Sequence, residues 1–359
     1  MNRESTDQLI QKLMSKGLLV PDIDASASVQ SPWYIKTMHG ISGWIASMFL
    51  LFSLGIMFHG LLNNATAMLV VGLIFVGAAY MLIVSQEDNP FLGQFTITLS
   101  LAGQAMVTFG LFSFFRHSLS ESSLPWYLLS IFELALVYLI PNYLHRLLSG
   151  FVFGYALMSA VYISGLGTLG LSVLLGATVW IWFSEFQHPR CISCKLPLGF
   201  SLSLVLFANS LFGHPGYYIW NNGSLSHYNP NLYWLSISIN TAILLYVVWR
   251  LTDKEEKHIT PLKILAVIFA LGIGILGSQM GGLVAGIVIL LVAFSRGNMV
   301  LVGLSVAQLI WSISHYYYTL HATLLTKSLY LIGTGVVLIL LYYLFKRFVV
   351  DSRQKEGTV

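Results

Sequence analysis

Long apolar runs, rather than short alternations of apolar and polar residues, are the feature that most limits what this chain can fold into. A segment that crosses lipid has no water for its backbone groups, so it must be a helix or part of a closed barrel. Runs of about twenty apolar residues suit helices, whereas barrel strands alternate over about ten. The sequence predicts spans near 38–61, 65–85, 95–115, 124–140, 147–163 and 166–186. A second group follows near 196–212, 232–250, 263–279, 281–296, 299–315 and 326–347. The expected fold class is an all-α integral membrane protein with about 12 transmembrane helices. In the pairs 147–163/166–186 and 263–279/281–296 the gap is so short that the helix count hangs on it.

Composition points the same way. Hydrophobic residues make up 56% of the chain and charged residues 9%, with a mean hydropathy of +0.77. A soluble domain carries roughly a quarter charged residues, so most of this surface must face lipid. A net charge of +4 gives no footing for nucleic acid, but the placement of the charges is informative. With the N-terminus inside, all of the 18 Lys and Arg except Arg116 and Lys327 fall on cytoplasmic segments, Arg146 among them. The positive-inside rule predicts that bias, and a single miscounted helix would scramble it, so both termini are expected inside. No short apolar core precedes an A-x-A-like site, so the first hydrophobic helix is expected to direct insertion of a multi-pass protein; a bacterial inner membrane is the location expected from the resemblance given below.

Three parts follow from this reading. Residues 1–36 form a cytoplasmic N-terminal helix and linker, 37–348 the transmembrane domain, and 349–359 a cytoplasmic tail. Ser5 and Gln8 fit a capping box, and Leu9, Ile10, Leu13 and Met14 make one apolar stripe. Such a helix can pack on the cytoplasmic ends of its own bundle, dock a partner, or lie in the membrane interface. The outer loop 213–231 is rich in Tyr, Trp, Asn and Gly, and could cap the bundle.

Glu133 is the most informative polar residue, midway along the fourth predicted span in SIFELALVY. A carboxylate at that depth must face the bundle interior, be paired, or be protonated. It is read either as a proton or cation site, or as a structural group bonded to a neighbouring helix. If the span is shifted, it is simply solvated. Gln104, Asn209, Asn240, Gln279 and Gln308 also fall at membrane depth, where amides more often glue helices than line a pathway. Gly150/Gly154 and Gly282/Gly286 have GxxxG spacing for close helix contact. Gly272, Gly274 and Gly277 match GxGxxG in form, but without a preceding strand or a following acidic residue they are no nucleotide site.

Cys191 and Cys194 form a CxxC with His188 nearby on a cytoplasmic loop. Structural zinc needs four ligands and only three are local, so these are weak metal candidates and two free thiols are the default. No cofactor is expected. Histidines gather on the outer side, at His59, His117, His214, His227, His315 and His321, where interfacial hydrogen bonding is the plain reading.

Three stretches carry a family resemblance: SPWYIKTMHGISGWIA entering the first span, LSLAGQA at 99–105 and PNYLHRLLSG at 141–150. Together they resemble a bacterial polytopic membrane-protein family known only as a domain of unknown function, over roughly 30–165. That family commonly accompanies a related membrane protein and a small anchored partner with a GDYxxLxY motif. The resemblance implies work in a membrane assembly and brings no catalytic residues. Three readings follow: a subunit of a multi-protein inner-membrane assembly with membrane-protein partners, a small-solute or ion transporter using Glu133, or a membrane-embedded enzyme with an outer histidine site. The lipid bilayer is a partner in all three, and the enzyme reading has the least behind it.

Overall fold

A computed structural model of the chain describes residues 64–85, 90–115, 122–166, 169–184, 192–212, 230–253, 260–277 and 282–319, with scattered positions within 38–60 and 323–343. Among the described residues every regular element is helical. The helices are α1 (Ala65–Ser85), α2 (Pro90–Phe114), α3 (Leu124–Leu139), α4 (Tyr143–Val161), α5 (Leu169–Phe183) and α6 (Ile192–Phe212). They continue with α7 (Pro230–Asp253), α8 (Thr260–Gly277), α9 (Leu283–Arg296) and α10 (Met299–Thr319). Each falls on a predicted span. The first and last predicted spans lie largely outside the described residues, as do the whole of 1–36 and 349–359.

Both doubtful pairs are pairs of helices. After α4 the chain passes through a π turn, Tyr162–Leu166, and Gly165 takes φ 79° before α5 begins. Gly282 takes φ 89° as the residue before α9. Both lie in the left-handed region that only glycine enters without strain, which is why these apolar runs break where they do.

Six of the described helices are long and apolar enough to cross a membrane: α1, α2, α4 with its π turn, α6, α7 and α10. Helices α3, α5 and α9 are shorter, with 16, 15 and 14 residues. At 1.5 Å per residue they reach about 21–24 Å, short of a hydrocarbon core of about 30 Å. Two of them lie where this matters least. α5 and α9 sit in the middle of the bundle, α5 packed on α4, α6, α7 and α9, and α9 on α5, α7, α8 and α10. Leu174, Leu175, Val179 and Trp182 of α5 meet Val288, Ile289 and Val292 of α9 in the main core cluster.

The outer helices show the reverse pattern. α1 is apolar all round, burying Met68, Val76 and Ala79 while Val70, Ile74 and Met81 are exposed. Exposed aliphatic side chains on a long helix are what lipid requires. Small residues set the closest helix contacts. A Cβ on Gly72 of α1 would meet the Gly103 carbonyl of α2 at 2.8 Å, and one on Gly103 would meet the Gly72 carbonyl at 2.7 Å. Gly150 and Gly154 bring α4 onto Ser201 and Leu202 of α6, and Gly286 brings α9 onto Leu309 of α10, as the GxxxG spacing predicts.

Helix hydroxyls mostly satisfy themselves. Thr96, Thr98, Thr108, Ser159 and Thr178 each donate to the carbonyl four residues back, so they add no free polar group to an apolar environment. The polar groups that reach across helices therefore stand out.

Candidate intramembrane polar site

The α2, α3 and α4 helices bring five buried polar side chains together. On α2, Ser100 and Gln104 are four residues apart and share a face. On α4, His145 and Ser149 have the same spacing and meet them. Ser100 Oγ lies 2.7 Å from His145 Nε2, and Gln104 Nε2 lies 3.0 Å from the same nitrogen. Gln104 Nε2 also donates to Ser149 Oγ at 3.0 Å. Ser100, His145 and Ser149 are fully buried, and Gln104 nearly so.

Glu133 completes the group from α3. Buried residues on that helix recur at Trp126, Leu129, Ser130, Glu133, Leu136 and Val137, a stripe of helical period. Glu133 sits on the stripe with no exposure, so the solvated reading falls away. Ser149 of α4 is its nearest polar neighbour, and neither carboxyl oxygen has a hydrogen-bond partner. Gln104 donates to the Ser149 oxygen, which leaves the Ser149 proton to point toward Glu133. The Gln104 amide thus links His145 to Ser149, and Glu133 stands beside the serine.

The start of α4 builds the histidine's place. Asn142 is the N-cap, its side-chain oxygen accepting from the His145 backbone N–H at 3.1 Å. The helix therefore begins at Tyr143, one turn before the predicted 147, and carries His145 into the core. It also carries Arg146 inward. That side chain is 8% exposed, donating from Nε to the Val137 carbonyl and from Nη1 to the Ser193 carbonyl, both at 3.0 Å. In the first turn of α4, its guanidinium ties the end of α3 and the start of α6 to that helix.

The other candidates go elsewhere. Gln308 of α10 donates to Ser210 Oγ at 3.1 Å and to the Gly282 carbonyl at 3.2 Å, and Trp311 Nε1 donates to the Ser210 carbonyl at 2.7 Å. Asn209 is beside this cluster in sequence and Asn240 is on α7; the side-chain oxygen of each is buried without a partner. Gln279, Cys191 and His188 lie outside the described residues, whereas Cys194 is a free thiol. Of the outer histidines only His315 is described, stacked on Trp311 with ring centroids 6.4 Å apart. Among the described residues no group of three His, Cys, Asp or Glu could hold a metal ion.

Sequence reasoning named Glu133 and Gln104 and missed Ser100, His145 and Ser149. The paired spacings were the available signal: two polar residues four apart on α2, facing two polar residues four apart on α4.

A bundle of long apolar helices, apolar on its outer face with its polar groups gathered in buried clusters, defines an α-helical membrane protein. Residues 32–348 match the family described as a domain of unknown function (DUF4401), and the chain belongs to that family. The match reaches well past the 30–165 region in which the resemblance was read. No curated protein and no solved structure matches the chain.

Proposed function

We propose that this protein binds and releases a proton at Glu133 inside the bilayer and couples that step to the movement of a small solute or ion. One observation carries the reading: a fully buried carboxyl on a short helix has neither oxygen satisfied, beside a buried polar cluster that includes a histidine. A buried carboxylate without a partner is expensive in lipid, and such residues mark proton and ion paths. A purely structural carboxyl would be paired. Arg146 is engaged with two backbone carbonyls and so supplies no partner for Glu133. His145 is the group here that can carry a proton, the Ser100 and Ser149 hydroxyls can both donate and accept, and the Gln104 amide holds them in register. About twelve spans with both termini in the cytoplasm remain the topology that the Lys and Arg distribution favours.

Reconstitution on a solid-supported membrane tests the reading directly. A pH jump applied to the purified chain should give a transient charge displacement that Glu133→Gln abolishes. An unchanged transient in the variant, at equal protein density, would sink the proposal. It would return weight to the assembly-subunit reading, which requires a stoichiometric membrane partner in a mild-detergent pull-down.

A further inference from the structure

Away from Glu133, a groove of about 550 Å³ runs between α5 and α7. Its walls are apolar along most of its length, with Val179 and Trp180 on one side and Ile239, Ala242 and Ile243 on the other. It opens sideways toward lipid, where Trp180 is 66% and Tyr246 44% exposed. It closes at Phe183, Ser184 and Arg250.

Arg250 lines that end, and two further cations contact its lining residues. The Arg250 guanidinium lies 4.4 Å from the centre of the Phe183 ring and donates from Nη1 to the Tyr246 hydroxyl. Arg296 of α9 stands 5.8 Å from the same ring. Lys195 of α6 donates from Nζ to the Ser184 carbonyl at 2.8 Å and lies 5.9 Å from the Trp180 ring. The aromatic faces hold these side chains in place rather than neutralise them. A stack of this kind fixes the direction of a guanidinium fork, which suits it to a phosphate oxygen.

We propose that the α5–α7 groove is a binding site for an anionic phospholipid, with an acyl chain between Trp180 and Ile243 and the headgroup phosphate at Arg250 and Lys195. Charge complementarity chooses this occupant. Arg250 and Lys195 are bonded here to a neutral hydroxyl and a carbonyl, so an anionic headgroup complements them where an uncharged lipid would not, and a partner helix would have to present a phosphate-like anion at the same place. Basic pockets between transmembrane helices are the usual place for such headgroups. The site does not depend on Glu133, so it stands or falls separately.

Native mass spectrometry of the full-length protein in detergent, titrated with phosphatidylglycerol, phosphatidylcholine or inorganic phosphate, is the test. Phosphatidylglycerol should remain bound and raise the melting temperature, while phosphatidylcholine and phosphate do neither. Arg250→Gln should weaken phosphatidylglycerol retention about fivefold, the effect of one basic contact. Ala242→Trp, which fills the groove at an exposed position without touching charge, should weaken it comparably, with unchanged helical content by circular dichroism. Equal binding of the two lipids would overturn the proposal, as would competition by inorganic phosphate. So would wild-type retention in Ala242→Trp, since binding would then owe nothing to the groove.

Discussion

Two buried polar clusters in this molecule use nearly the same residues and look built for different ends. At the junction of α6, α9 and α10, Gln308 donates to a hydroxyl and to the carbonyl of Gly282, where the chain turns into α9. Every group there is neutral, and the amide closes a break between helices. At the junction of α2, α3 and α4, Gln104 likewise donates to a serine, but the serine stands beside an ionisable carboxyl and the amide beside a histidine. An amide and a hydroxyl at membrane depth are thus no guide to function by themselves. What separates the clusters is whether the network leads to a group that changes charge.

The sharpest way to break this comparison is Glu133→Gln. The substitution keeps shape and removes the ionisable group, so the pH-driven charge displacement should fall at least tenfold, as when an essential proton acceptor is lost. The melting temperature should hold or rise, because a buried unpaired carboxyl is replaced by a neutral amide of similar volume. A displacement that survives together with a collapse in stability would make Glu133 structural, and the two clusters alike.

Gly282→Ala should act on the other cluster, and only on stability. The residue holds φ 89°, and an added Cβ would run into Ser210 Oγ. A left-handed alanine costs about 1–2 kcal/mol before any clash, and the serine must also move. Thermal unfolding in detergent should show a loss of several degrees while proton binding at Glu133 is retained. If proton binding falls in step with stability, the clusters are coupled through α4 and α6 and the division drawn above is wrong.

How much of this could be read from the sequence differs between the two clusters for physical reasons. Helices were legible because lipid demands long apolar runs, and ten of the expected segments are helices. Glu133 was legible because one carboxyl among aliphatic neighbours has few affordable fates. His145 was not, because the apolar run of α4 begins later than the helix does. Asn142 caps the backbone one turn earlier, and it takes a capping bond rather than hydropathy to place His145 and Arg146 inside. The pairing of Gly72 with Gly103 was equally hidden, since the two residues belong to different helices and neither sits in a GxxxG repeat. Gln104 and Gln308 were legible as buried amides, but nothing local distinguishes an amide beside a carboxyl from one beside a helix break.

Gln104→Leu probes that distinction from the functional side. It removes the donor to Ser149 and one of two partners of His145 Nε2; Ser100 still holds the ring, so Ser149 is the buried group left short of a partner. Stranding such groups costs about 1–3 kcal/mol. The variant should lose a few degrees in melting temperature and also slow the proton transient, because Ser149 is then no longer held toward Glu133. A time constant equal to wild type would show that Gln104 serves only to hold the helices together, like its counterpart on α10.

Gln308→Leu is the matched change at the structural cluster and should have the smallest effect. Interhelical hydrogen bonds in membrane proteins average about 0.6 kcal/mol, since groups released in lipid find other partners. Ser210 already donates to the Leu206 carbonyl and so keeps a bond when the amide is gone. The Gly282 carbonyl also accepts from the Gly286 backbone N–H. Nothing is stranded, in contrast to the Ser149 hydroxyl left behind by Gln104→Leu. Melting should shift by no more than a degree or two, and the proton transient should match wild type in size and rate. A change in the transient here would mean that proton movement reaches across the bundle to α10, and the pathway would have to be redrawn through both clusters.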